Sequence, residues 1–134
     1  MPFGNEAVTR QFRNQNVAMK SIASDIGSAT ATGGAATLNK TMGKVTTNAS
    51  SAASDATYTL TITNSEVSAE DMAFVSFTLA SGTATNVSVK DVLCGNGTLT
   101  IVLQNPHDAT AWSSAIFIVS FMIVKAISGV SENT

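Results

Sequence analysis

Few side chains in this sequence belong to the types that carry out catalysis. His107 is the only histidine, in an Asn-Pro-His-Asp turn, and Cys94 is the only cysteine. Nucleophilic catalysis needs a base within reach of a nucleophile, so a lone histidine in a turn is better interpreted as solvent-facing or turn-bracing. Cys94 borders a predicted hairpin turn and is interpreted as a small buried apolar residue. The sequence therefore predicts a protein that is not an enzyme.

The carboxylates of Glu66, Glu70 and Asp71 form the remaining cluster with possible chemistry. Their spacing does not match a calcium-binding loop, and the sequence contains no second acidic cluster to complement them, so a solvated acidic loop is predicted. Phosphate binding is not indicated either, because the glycine pair Gly33-Gly34 is not followed by Lys and Ser/Thr. We therefore expect no catalytic residue, no metal site and no cofactor.

The composition indicates a single domain with a weakly charged surface. The chain has 134 residues, of which 44% are hydrophobic and only 12% are charged, about half the charged share of an average soluble protein. Low charge gives little repulsion against self-association, which suits a protein that packs against neighbours. Basic residues are few and not interleaved with aromatic ones, so nucleic-acid binding is not expected.

The chain divides into two parts that differ in composition. Residues 1–36 are predicted to form an N-terminal arm, extended or partly helical, that ends in a flexible connector at residues 27–36, where no side chain is large enough to build a core. The body is predicted to span residues 37–134. The N-terminus lacks a basic stretch leading into an apolar run, so a secretion signal is not expected.

The body is dominated by alternating apolar and polar residues. Residues 58–63 alternate Tyr, Leu and Ile with three threonines, and residues 98–104 place Leu, Ile and Leu on one side; both patterns indicate half-buried strands. The pair Asn96-Gly97 precedes the second strand and is typical of a tight hairpin turn. About seven short strands with regular turn signals predict an all-β fold, a single jelly-roll-like β-sandwich.

The last strand, residues 115–124, has no polar side. One row of side chains consists of Ala115, Phe117, Val119, Phe121 and Ile123, and the other of Ile116, Ile118, Ser120, Met122 and Val124. A sandwich core covers one face of a strand, so the other row needs a second cover. From the sequence, either row can face the core.

Three covers are possible for that second row: the N-terminal arm, identical subunits around a symmetry axis, or lipid. Residues 110–130 have roughly the length of a membrane helix. However, the strictly apolar run is short, Lys125 follows it, and β-branched and aromatic residues dominate it, which favours a buried strand. The arm has few apolar residues, so packing between identical subunits is the preferred prediction.

Three segments of the body resemble small β-sandwich domains of tailed-bacteriophage virion proteins. These are residues 37–47 (TLNKTMGKVTT), 58–65 (YTLTITNS) and 95–105 (GNGTLTIVLQN), followed by the apolar last strand. The pattern is similar to capsid cement, or decoration, proteins. This resemblance implies a homotrimer with jelly-roll bodies that lies on the outer capsid surface of the virion and clamps the major capsid protein.

The resemblance also assigns roles to individual residues. The trimer interface is expected at Ile116, Ile118, Met122 and Val124, on one row of the last strand. The arm is expected to spread over neighbouring capsid subunits and to order on binding, with contacts from Phe3, Arg10, Phe12 and Arg13.

Two alternative functions remain open at the level of sequence. Some tail-fibre and head-fibre tips, which bind host receptors, show a similar pattern of strands. A carbohydrate-binding module is a third interpretation, for which Trp112 is the sole aromatic candidate for a sugar platform, although a core or interface position suits this residue better.

Overall fold

The computed structural model describes residues 26–106 and 109–126 of the chain. This part of the chain forms eight β-strands and contains no helix. The strands are β1 (Ile26–Thr30), β2 (Ala35–Thr37), β3 (Met42–Thr46), β4 (Thr57–Thr63), β5 (Met72–Thr83), β6 (Ser88–Gly95), β7 (Thr98–Gln104) and β8 (Ser113–Val124).

The eight strands form two four-stranded sheets, which confirms the predicted all-β sandwich. Sheet A has the strand order β1-β3-β8-β5, and sheet B has the order β2-β4-β7-β6. The pairs around β7 and β8 are antiparallel, whereas β1 pairs with β3 and β2 pairs with β4 in parallel. The sequence pattern did not predict these two parallel pairs, because each contains a strand, β1 or β2, that it left unassigned or weakly defined.

The core lies between the two sheets and consists of the inward rows of their central strands. On sheet B the predicted apolar rows of β4 and β7 are buried, which confirms their orientation. On sheet A the row of β8 that faces inward is Ala115, Phe117, Val119, Phe121 and Ile123, with Phe117 completely buried. The rings of Phe77 and Trp112 meet Phe117 edge to face, at centroid distances of 5.8 and 5.2 Å, a favourable arrangement of aromatic rings.

The predicted hairpin between β6 and β7 is present. Gly95 and Thr98 are cross-strand partners, so Asn96 and Gly97 form the two-residue turn. Gly97 has a φ of +85°, a conformation that glycine adopts without the steric cost of a β-carbon. The Asn-Gly signal therefore predicted this turn correctly.

The connector predicted at residues 27–36 is wrong, because these residues contain most of β1 and most of β2. The boundary predicted between residues 36 and 37 falls inside β2. The small side chains are there to allow close packing: Gly27 and Gly43 pair across β1 and β3, and the side chain of Leu38 fills the space above both. A β-carbon on Gly43 would lie 2.6 Å from Leu38 Cδ2, closer than packed atoms tolerate.

One buried asparagine ties the turns at one end of the sandwich together. Asn64 is fully buried, its Nδ2 donates to the Lys40 carbonyl at 2.7 Å, and its Oδ1 accepts from the Glu66 N–H at 3.0 Å. Its own backbone N–H donates to the carbonyl of Gly97 at 2.9 Å. Asn64 thus links the chain before β3, the β4–β5 connection and the β6–β7 hairpin.

Residues 110–130, which could be drawn as a membrane helix, contain strand β8 instead. Over residues 26–106 and 109–126, no helix of a length and hydropathy suited to crossing a membrane is found.

Candidate interaction surface

The structure determines which row of β8 faces outward. Ile116, Ile118, Met122 and Val124, the residues predicted to form a trimer interface, lie on the outer side of sheet A. Ile116 and Ile118 are half-buried, whereas Met122 and Val124 are each 42% exposed. The outer row is therefore partly open to solvent at one end of the strand and better covered by its neighbours at the other.

Met122 and Val124 belong to a larger apolar surface that crosses all four strands of sheet A. The cross-strand register places Ile26, Met42, Met122 and Phe74 side by side, on β1, β3, β8 and β5 respectively. Met72 lies opposite Val124 in the next row. We call these six residues the apolar face: Ile26, Met42, Met72, Phe74, Met122 and Val124.

The apolar face consists of large side chains with high exposure. Met72 and Phe74 are 60% and 58% exposed, and Ile26 is 53% exposed. Single exposed apolar residues are ordinary on protein surfaces, but a contiguous group of this kind marks an interaction site. Within the described strands, Lys44 is the only charged side chain on the outer side of sheet A, so a partner meets little that must be desolvated at high cost.

A row of polar residues, three serines and one lysine, separates the apolar face from the two isoleucines of the same sheet side. Ser28, Lys44, Ser120 and Ser76 form this intervening row across the four strands. Beside the two serines on β5 and β8 is a depression of about 260 Å³, lined by Phe74, Val75, Ser76, Ser120, Phe121 and Met122. A depression next to exposed apolar side chains can receive a side chain of a partner.

Sequence reasoning missed four residues of the apolar face: Ile26, Met42, Met72 and Phe74. For Met72 and Phe74 the sequence did contain a signal, because both rows of side chains on their strand include large apolar residues. Ile26 and Met42 are isolated apolar residues in sequence. Only the pairing of β1 with β3, and of β3 with β8, brings them to Met122.

An ion pair between a buried carboxylate and an exposed lysine holds the strand ends beside the apolar face. Asp71 precedes β5 and its side chain is 1% exposed; Lys125 follows β8 and donates from Nζ to Asp71 Oδ2 at 2.6 Å. The Asp71 carboxylate also accepts from the N–H groups of Ala126, at 2.9 Å, and Ser68, at 2.8 Å. Lys125 Nζ additionally donates to the carbonyl of Glu66. The hydrogen bond from Lys125, and then those from the two N–H groups, hold the pKa of Asp71 well below its usual value.

This pKa predicts a loss of stability in acid. A carboxyl whose pKa is lower in the folded chain stabilises the fold fully above its unfolded pKa of about 3.9, and the contribution disappears as the pH falls through the folded pKa. We expect Asp71→Asn to lower the free energy of unfolding at neutral pH, and the difference from the native chain to shrink below about pH 4. Urea unfolding of both proteins over a pH series measures this difference in free energy. A difference that does not change with pH would contradict the lowered pKa of Asp71.

The candidate catalytic residues do not form a site in the described part of the chain. His107 lies outside the described residues. Cys94 faces the core side of β6, half-buried, and burial raises the pKa of its thiol. Glu66 and Glu70 are exposed as predicted, but Asp71 is not solvated, because Lys125 and two backbone N–H groups surround it. Among residues 26–106 and 109–126 no group of His, Cys, Asp and Glu could hold a metal ion.

The remaining predicted contacts fall in two places. The arm residues lie outside the described residues, so the structure does not test them; they are Phe3, Arg10, Phe12 and Arg13. Trp112 is 2% exposed and packs on Phe117, so its ring is not available as a platform for a sugar.

Comparison with known proteins adds no assignment. The chain matches no protein-family model, no curated protein and no solved structure.

Proposed function

We propose that this chain is a structural subunit of a virion, a capsid cement protein without enzymatic activity that acts as a homotrimer on the outer shell. The observation that carries the proposal is the apolar face of sheet A. Such a face requires a permanent cover, and subunits arranged around an axis supply one. The assignment to a phage capsid rests on the resemblance of residues 37–47, 58–65 and 95–105 to decoration proteins.

The trimer contact is placed on the apolar face together with Ile116 and Ile118. The exposed side chains of Met72 and Met122 are flexible and can fill gaps between subunits, and Phe74 adds a large apolar ring. The low charge of this sheet side favours a buried contact, because the centres of protein interfaces are depleted in charged residues. In this arrangement one side of sheet A completes the sandwich core and the other forms the centre of the assembly.

Contact with the major capsid protein is proposed for the segment before β1. The basic and aromatic residues Arg10, Arg13, Phe3 and Phe12 can combine charge attraction with apolar anchoring on a shell. Since β1 begins at Ile26, the segment available for this role is shorter than the arm that the sequence predicted.

Met122→Asp tests the proposed contact. Three aspartates brought together near an axis, in an apolar setting, cost far more than the contact gains. We expect the molar mass in solution to fall threefold and binding to capsid shells to be lost with it. Light scattering measures the mass, and co-sedimentation with shells measures binding.

The matched control is Thr59→Asp, an exposed position on the outer side of sheet B, which should change neither quantity. A Met122→Asp protein with the native mass would contradict the trimer contact. The shells also test the role: cement predicts hundreds of bound copies per virion, whereas binding to host cells with a few dozen copies or fewer would favour a fibre tip and contradict the proposal.

A further inference from the structure

The four edge strands of the sandwich differ in how they are protected from pairing with other chains. β1 and β2 are short, with five and three residues. β6 carries Lys90 and Asp91 next to a register shift. Short length, charges and bulges are the usual means by which proteins keep sheet edges from pairing.

β5 has none of these protections over most of its length. It is a 12-residue edge strand of sheet A with no charged residue and no proline. Its register with β8 is regular from Met72 to Leu79, and the shifts occur only beyond Leu79. An edge of this kind offers an unpaired row of backbone N–H and C=O groups to another strand.

The core is also incompletely covered along this edge. Val75, Phe77 and Leu79 point between the two sheets, yet Val75 and Phe77 are only half-buried and Leu79 is 40% exposed. Their neighbour on β8, Phe117, is completely buried. A strand added beside β5 would therefore satisfy the backbone groups and cover the inward apolar row at the same time.

We propose that β5 pairs with β5 of a second copy of this chain, antiparallel and around a two-fold axis at Ser76. In this antiparallel pair both strands have the sequence of β5. Because β5 carries no charged residue, no like charges lie opposite each other. The register around Ser76 sets Val75 opposite Phe77 of the other copy, and Ala73 opposite Leu79. All four side chains point inward, so this register continues the core from one sandwich into the next.

This edge contact is separate from the proposed trimer contact on the apolar face. A strand pair of this kind joins copies two by two, whereas the face joins them three by three. The two contacts together close in a six-copy assembly with D3 symmetry, in which two of the proposed homotrimers are joined edge to edge. The edge pairing can be tested independently of the trimer. Loss of the edge contact lowers the molar mass twofold, whereas loss of the trimer contact lowers it threefold.

Ser76→Lys tests the inference in the full chain. Ser76 is exposed, so the substitution leaves the core intact, but it opposes two lysines at the two-fold axis, where like charges destabilise pairing. We expect the molar mass to fall twofold, whereas loss of the trimer contact on the neighbouring apolar face would lower it threefold. Thr30→Lys on β1, the other edge of the same sheet, should leave the mass unchanged. An unaltered mass or a threefold fall for Ser76→Lys, or a native protein with an odd number of copies up to its solubility limit, would overturn the pairing.

A cross-link provides a second readout. In a chain carrying Cys94→Ala, Ser76→Cys places two thiols opposite each other at the distance of cross-strand neighbours, and mild oxidation should join two copies covalently. The control is Ser28→Cys in the same background, an exposed serine on β1 of the same cross-strand row. Failure of Ser76→Cys to cross-link faster than Ser28→Cys would overturn the proposed register.

Discussion

Replacing Phe117 with alanine is expected to lower the free energy of unfolding by about 3–5 kcal/mol. Phe117 is completely buried between the sheets and contacts the rings of Phe77 and Trp112. Alanine removes the buried ring and leaves a cavity that two rigid sheets cannot close by moving together. Small domains are stable by about 5–15 kcal/mol, so the loss is a large share of the total.

Equilibrium unfolding in urea measures this effect, with the denaturation midpoint and slope recorded for both proteins. The matched control is Val102→Ala on the outer side of sheet B, where the side chain is only half-buried, and it should cost about 1 kcal/mol or less. If Phe117→Ala were no more destabilising than this control, the central position of Phe117 in the core would be wrong.

Asn64→Ala is expected to have the second largest effect on stability, about 2–4 kcal/mol in total. The substitution removes the side-chain partners of the Lys40 carbonyl and the Glu66 N–H. Both backbone groups then lose a part-buried hydrogen bond, which water replaces poorly there. The cost is large because one side chain serves two separate segments.

The control for this variant is Asn39→Ala. Asn39 Oδ1 also accepts a backbone hydrogen bond, from the Ser65 N–H at 2.9 Å, but this residue is exposed, so water replaces the lost partner and the expected cost is about 1 kcal/mol or less. Thermal unfolding of both variants beside the native chain provides the comparison. Equal costs for the two asparagines would show that the burial of Asn64 does not matter.

The fold class could be predicted because half-buried strands leave a direct mark on sequence. In β4 and β7 the apolar residues alternate with threonine, so both the strand and its inward side follow from a period of two. The inward side of β8 could not be predicted in this way, because both of its rows are apolar. Its orientation is set by pairing with β3 and β5 and not by its own residues.

Strands β1 and β2 and the apolar face could not be predicted, because they depend on contacts between residues that are distant in sequence. β1 and β2 consist of small residues that resemble a linker, and their role depends on Leu38 packing over two glycines from different strands. The apolar face joins residues as distant as Ile26 and Met122. Likewise, Asp71 meets Lys125 across 54 positions of sequence. Contacts of this range are a property of strand register, which a single sequence does not contain.

The position of β1 has a consequence for how the gene could be rearranged. The described chain begins at Ile26 and ends beyond Val124 on the same end of sheet A, with only β3 between those two strands. Two strand spacings amount to about 10 Å, which a linker of about four residues can span in a variant that omits residues 1–25 and 127–134. The connection between β5 and β6, at the exposed residues Thr85 and Asn86, lies at the other end of the sheet. A circularly permuted sandwich opened there would keep all eight strands in their present pairs, and would move its free termini away from the apolar face.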